Sequence, residues 1–269
     1  MKPLVLRLRA APEQRLDLSP LAPHRLAGKS AREIAAIELQ TTRRRVQVGD
    51  VFALSTGNVE NIVIDGGSER FDGVGEGMNA GSITVKGDVG NQAGRRMAGG
   101  RLTIQGRSGH WTASGMTAGV IEIAGDAGDR LGGPLAGETQ GMSGGMVVIR
   151  GDVGARAGDR LRRGTLIVEG GAEMGAGSRM LAGTLIVCGG AGPRAGYLMR
   201  RGTLVLGATD DDPGSTFLDC GVHDLVALRL MAAFVSGASR DAAALLRGSL
   251  RRYAGDTAVL GKGEIFVAA

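Results

Sequence analysis

A chain of 269 residues with 43% hydrophobic side chains is long enough for a sizeable core, and its net charge of +5 raises nucleic acid as a partner. Aromatics are only 3% of it, and no RNP, zinc-finger or helix-turn-helix pattern accompanies the arginines, which argues against nucleic-acid binding. Its 48 glycines lack a Gly-X-Y period and sit beside only 7 prolines, excluding collagen, and no run of 18 apolar residues reads as a membrane span.

Met1 to Ala10 holds one short apolar run broken by Arg7 and Arg9, unlike a signal peptide. Ser30-Ala-Arg-Glu33 is a capping box, in which hydroxyl and carboxylate satisfy free backbone amides. The Ile34, Ala35, Ile37 and Leu39 that follow predict a short helix to about Gln40. Val46 to Leu54, around Gly49-Asp50, reads as a strand pair or turn. Residues 1–60 fall outside the register that follows and are read as an N-terminal cap of the same domain.

From Asn61 a repeat takes over. Gly81, Gly100, Gly119, Gly145, Gly164, Gly183 and Gly202 recur at intervals of 19, 19, 26, 19, 19 and 19 residues, each before a strand-like tetrapeptide such as Ser82-Ile-Thr-Val85 or Thr184-Leu-Ile-Val187. Four residues bury nothing alone, but about 19 residues return the chain to lay its next strand ~4.8 Å from the last. The expected fold is all-β dominated: a parallel, right-handed β-helix of about eight coils over residues 61–207, roughly 35 Å long. Alternation places Ile83 and Val85, Leu102 and Ile104, and their equivalents through Leu185 and Val187 in aliphatic ladders inside. Met97, Met116, Met142, Met180 and Met199 share one position and read as core filling. The 26-residue interval carries a seven-residue insertion within Leu131–Gln140, expected to emerge as a loop on one face.

Past Gly207, Asp210-Asp-Asp-Pro213 ends the stack. Asp224 is placed to cap a very apolar helix, Leu225 to Val235; Ser239 to Arg247 reads as a second helix, and a turn and strand finish the chain. Residues 208–269 are thus a C-terminal helical segment and strand packing on the β-helix.

The outward strand positions read Thr84, Thr103 and Glu122, then Val148, Ile167, Ile186 and Val205. That aliphatic stripe on an outer surface demands a cover, either the 225–235 helix or another subunit. Arginines also fall into columns: Arg96, Arg160 and Arg179 at one repeat position, Arg130, Arg156 and Arg194 at another, with Arg162-Arg163 matching Arg200-Arg201. Stacking brings like charges within ~5 Å, so they either splay into solvent or meet an acidic partner or polyanionic ligand. Gly-Asp-x-Gly at Gly87, Gly125 and Gly151 does not sustain an acidic residue in every repeat, so an Asp88-Arg107-Asp126 charge ladder with Asx turns is expected in place of calcium.

Catalytic groups are scarce. His24, His110 and His223 sit in three different regions, and no nucleophile elbow, phosphate loop or His-Glu zinc motif is present. His110-Trp111 reads as a surface loop packing its aromatic. Cys188 and Cys220 are not spaced as a metal pair, and a reduced, cytoplasmic protein is expected.

The repeated Gly-x-x-Met-x-x-Gly-x-Ile/Leu-x-Val/Ile-x-Gly, as in Gly94–Gly106 and Gly177–Gly189, resembles the glycine-rich β-helix of the glutamate synthase C-terminal domain and of the C-subunit family of formylmethanofuran dehydrogenases. The ending Arg252-Tyr-Ala-Gly-Asp256 and Gly261-Lys-Gly-Glu-Ile265 on a free-standing chain favours the latter. The arginine- and alanine-rich composition is most similar to the C subunit of bacterial formyltransferase/hydrolase complexes. This resemblance implies a non-catalytic structural subunit of a cytoplasmic one-carbon complex. There, formyl passes from tetrahydromethanopterin to a methanofuran-type carrier and leaves as formate. It implies hetero-oligomeric partners (a formyltransferase, an amidohydrolase-like hydrolase, a dehydrogenase B-like subunit), with no cofactor, metal or catalytic residue in this chain. A redox-active Mo/W formylmethanofuran dehydrogenase, a glutamate synthase-like interdomain module, and an enzyme acting on an anionic substrate at the insertion loop stay open.

Overall fold

Short strands with two inward aliphatic residues each are stable only when neighbouring repeats pair with them. The computed structural model describes residues 2–41 and 43–269; Met1 and Thr42, both within the expected cap, lie outside the described residues. The protein is β-dominated, with one large, mostly parallel sheet and few helices.

The N-terminal part runs through β1 (Pro3–Leu8), β2 (Leu16–Asp17), a 3-10 turn (Ser19–Leu21), α1 (Pro23–Leu26), α2 (Ala31–Ala35), β3 (Glu38–Thr41), β4 (Val46–Gln47), α3 (Val48–Val51) and β5 (Phe52–Leu54). The repeat supplies β6 (Asn58–Asp65), β7 (Phe71–Asp72), β8 (Ser82–Lys86), β9 (Ala98–Ile104), β10 (Ala118–Ile123), β11 (Ser143–Ile149), β12 (Arg163–Val168), β13 (Thr184–Ala191) and β14 (Arg201–Thr209). Then come β15 (Leu218–His223), α4 (Val226–Val235), α5 (Arg240–Arg247), β16 (Leu250–Ala254) and β17 (Lys262–Ala268).

Thirteen strands form the main sheet in the order β15-β16-β17-β14-β13-β12-β11-β10-β9-β8-β6-β1-β5. From β1 to β17 every pairing is parallel, and although four of them shift register near a strand end, the strand centres stay aligned, so that Leu4, Ile62, Ile83, Leu102, Ile121, Val147, Leu166, Leu185, Leu204 and Ile265 form one unbroken ladder. All are buried. Each such side chain contributes about 1.5–3 kcal/mol of transfer free energy. The methionine column lies inside as well, extended by Met78 and with Leu161 standing in once.

Between strands, the repeats turn on alternate residues with left-handed backbone, as at Gln92, Gly94 and Arg96 (φ 62°, 66°, 50°) and at Arg156, Gly158 and Arg160 (61°, 72°, 51°). These corners pair with the repeats on both sides: Gly94 N–H donates to Val74 O at 2.8 Å and Arg96 N–H to Ser114 O at 2.8 Å. Glycine at position 94 is doubly required, because a Cβ there would sit 2.2 Å from Ile121 Cδ1.

Three local expectations are corrected. α2 stops at Ala35, because Glu38-Leu-Gln-Thr41 alternates outward and inward and is taken into antiparallel pairing with β2 and β4. The stretch 46–54 contains a one-turn helix between two short strands. Residues 1–60 are not wholly outside the register, since β1 adds a parallel strand beside β6 and β5 closes that edge antiparallel. Ser30 and Glu33 do form the reciprocal capping box.

Candidate interaction surface

The outer aliphatic stripe is not open. Val148, Ile167, Ile186 and Val205 are buried with Leu228, Ala232 and Val235 of α4, Ala242, Ala243 and Leu246 of α5, and Phe266 in a second core. β-sheet side chains alternate faces, so this second core forms on the face opposite the first ladder. Ser239 caps α5 by accepting from Ala242 N–H at 3.2 Å and bonds Glu169 at 2.7 Å, fixing the helix pair to the sheet. Asp224 does not cap α4; it pairs with Arg229, and the N-cap residue is Leu225 without a side-chain bond. After docking, α4 still exposes Val226, Leu230 and Phe234, each about two-thirds accessible (66%, 67% and 66%).

Arg96, Arg130, Arg156, Arg160, Arg179 and Arg194 share a property that spacing alone did not disclose: all six lie in the left-handed region, at φ 50°, 58°, 61°, 51°, 55° and 61°. For a non-glycine residue that conformation costs on the order of 1 kcal/mol. Glycine occupies the equivalent places in sister repeats, Gly77 and Gly115 in one column and Gly73 and Gly175 in the other. Gln92, Trp111 and Leu198 stand in the same two columns at φ 62°, 57° and 55°, so the available signal was glycine alternating with non-glycine residues, arginine most often, in one column.

The structure divides these arginines. Arg179 makes a bidentate pair with Asp159, at 2.9 and 2.6 Å, and Asp159 is buried. Arg96 meets Glu138 of the insertion at 3.1 Å. Arg160 donates to the Glu138 main-chain carbonyl at 3.2 Å. Arg130, Arg156 and Arg194 have no carboxylate partner among the described residues.

The insertion lies across this surface as a latch. The chain leaves the register after Gly132 and re-enters at Met142, whose N–H donates to Gly132 O at 2.7 Å. Glu138 accepts from Arg95 at 2.9 Å, from Arg96, and from Leu135 N–H at 3.0 Å. Burial pushes its carboxyl up, but the Leu135 amide and the guanidiniums of Arg96 and Arg95 outweigh that and hold it below the usual carboxylate range.

Beside the latch runs a groove of about 650 Å³ lined by Thr139, Arg160, Arg179, Leu181, Leu198, Arg200, Val259 and Leu260. Guanidiniums hold anions but do not accept protons, so this lining suits binding more than acid–base chemistry. A second groove, about 870 Å³, carries Asp126, Asp129, Asp152, Glu173 and Asp210. The Gly-Asp aspartates are not local Asx turns. Asp88, Asp126 and Asp152 each accept a backbone N–H of the next repeat, from Arg107, Asp152 and Gly171 at 2.8, 3.0 and 2.7 Å.

A parallel relay runs from Asp72 to Asn91 N–H, Asn91 to His110 N–H, His110 Nδ1 to Asp129 N–H and Asp129 to Ala155 N–H, at 2.7 to 3.0 Å. His110 is thus a strut between repeats. Burial, followed by Glu169 and Asp241, pushes the Cys188 thiol up to about 12, which makes it inert at neutral pH. Among the described residues no three His, Cys, Asp or Glu side chains group as metal ligands.

With this geometry in view, similarity to known proteins is informative. The chain is 47% identical over 264 residues to the C subunit of the formyltransferase/hydrolase complex Fhc of Methylorubrum extorquens, covering 98% of this chain and 99% of that one. The chain belongs to the Fhc C-subunit family. It also resembles a chain in the crystal structure of the formyltransferase/hydrolase complex FhcABCD from Methylorubrum extorquens in complex with methylofuran. The TM-score is 0.94 and the identity 44%, over 98% of this chain and 99% of that chain. Beyond this family, a segment is 33% identical over 94 residues to the C subunit of tungsten-containing formylmethanofuran dehydrogenase 2 of Methanothermobacter thermautotrophicus, 33% of this chain and 35% of that one. No family model matches the chain.

Proposed function

We propose that this chain is the non-catalytic structural subunit of a hetero-oligomeric complex that moves a formyl group from tetrahydromethanopterin to a methanofuran-type carrier and releases formate. Formyltransferase, amidohydrolase-like and dehydrogenase B-like subunits supply the chemistry. The observation that carries this is near full-length similarity, in sequence and in structure, to a subunit of a complex that holds methylofuran. The tungsten dehydrogenase match spans only a third of the chain, so a hydrolytic host is favoured over a redox-active one.

The parallel pairings and the corner bonds to both neighbours support reading the stack as a right-handed parallel β-helix of about eight coils over 61–207. In that reading β1 and β17 extend the stack at its two ends, the rest of 1–60 caps it, and α4 and α5 of the 208–269 segment pack on its side. Among the described residues no helix is long and apolar enough to cross a membrane. The reading places the complex in the cytoplasm, where the free thiols of Cys188 and Cys220 stay reduced.

Purification from the native source, followed by identification of associated subunits and assay of formylmethanofuran hydrolysis, tests the reading. The chain is expected to co-purify with formyltransferase and hydrolase subunits and to show no turnover when isolated. Turnover by the isolated chain, or its absence from the complex, overturns it.

A further inference from the structure

The groove beside the latch has two properties that belong together only if a second polypeptide fills it. Its floor is cationic: Arg160 and Arg179 stand on successive repeats, and Arg200 follows one repeat further along the stack. Arg179 is committed to Asp159, whereas Arg160 has only a main-chain carbonyl. Arg200 has no carboxylate partner among the described residues, nor have its neighbours Arg162, Arg163 and Arg201. The Glu138 carboxylate, the acidic group of the latch, is spent on Arg95 and Arg96.

Its walls are aliphatic: Leu181 and Leu198 on the repeats, Val259 and Leu260 on the turn before β17. That turn is not a loose loop. Val259 and Gly261 N–H both donate to Asp256 O at 3.1 Å, Ala258 N–H donates to the buried Asp256 carboxylate at 3.0 Å, and Thr257 N–H reaches Thr216 O at 2.9 Å. A braced turn that still leaves Val259 37% and Leu260 47% exposed presents them outward.

Rungs ~4.8 Å apart put Arg160 and Arg200 about 10 Å from each other along the stack. Alternate carboxylates of an extended peptide, about 7 Å apart, can reach both. A simple polyanion would satisfy the guanidiniums but leave the four aliphatic walls wet, and nucleic acid would lack the aromatic platforms it stacks on.

We propose that this groove seats an extended acidic segment, carrying apolar side chains between its carboxylates, from another subunit of the complex. The inference rests on the subunit reading above and adds the place and chemistry of contact.

The test uses the full chain, co-expressed with the other subunits, and measures assembly by affinity capture and by dissociation rate at rising NaCl. Arg200→Glu and Leu260→Glu alter exposed side chains without removing a bond within the chain; Arg32→Glu, exposed on α2, is the charge control. Both groove variants are expected to weaken assembly by about tenfold or more, Arg32→Glu by less than about twofold, and wild-type dissociation to accelerate with salt. Groove variants that assemble like wild type overturn the proposal. Normal assembly with loss of bound carrier overturns it too, in favour of the carrier as occupant. A wild-type chain that fails to assemble overturns the subunit reading itself, and this one with it.

Discussion

Replacing Arg179 by Met separates what the arginine columns do for folding from what they do for binding. Asp159 is 1% exposed, and Arg179, 29% exposed, supplies its two side-chain bonds. Methionine keeps the aliphatic stem but strands a desolvated carboxylate. Breaking a buried pair from one side costs about 3–5 kcal/mol. Because Arg179 is itself partly solvated, we place the loss at the low end, about 3 kcal/mol. For a protein of this size that is a fall in Tm of roughly 6–12 °C. Thermal unfolding followed by circular dichroism at pH 7 reads it directly. The double variant Asp159→Asn with Arg179→Met removes the stranded charge and is expected to recover most of the loss. A Tm within about 2 °C of wild type for Arg179→Met, or a double variant no better than the single, would refute the reasoning.

Glu138 carries a pH dependence of defined sign. Its folded carboxyl lies below the ordinary range, so its stabilisation is present above that range and lost as pH falls through the lowered value; Glu138→Gln is expected to flatten Tm between about pH 5 and 3. An unchanged slope counts against the latch. Ile186→Ala, in the second core, is expected to cost about 2–4 kcal/mol and speed amide exchange in α4 and α5, and unaltered exchange there contradicts helix docking on that stripe. His110→Leu removes the acceptor for Asp129 N–H at a cost of about 1 kcal/mol, whereas His110→Asn, mimicking Asn91, keeps it; equal Tm values for the two dismiss the strut. Cys188 is expected to resist alkylation at pH 8 because its thiol is pushed up to about 12, and rapid labelling there is the contrary result.

The strands and their inward residues were legible from the order of amino acids. A 19-residue return with an aliphatic tetrapeptide such as Thr184-Leu-Ile-Val187 after each glycine buries short strands by stacking them, and the ladders from Ile83 to Val187 follow from alternation; their extension to Leu4 and Ile265 at the two ends did not. The capping box at Ser30 was equally legible, because its two bonds span only three residues.

Contacts between residues distant along the chain were settled by packing in three dimensions. Glu38 to Thr41 became a strand because β2 and β4 were there to pair with it. The outward column from Val148 to Val205 announced a need for cover, but two helices closing over it is a property of how residues 226–247 return. The arginine columns were visible as letters and not as conformations. Their shared left-handed backbone, the burial of Asp159 beneath Arg179 and the reach of Glu138 to Arg95 and Arg96 depend on neighbouring repeats closing each corner. Periodicity fixes what repeats every turn; charge pairing across turns is decided by a few ångströms that no period records.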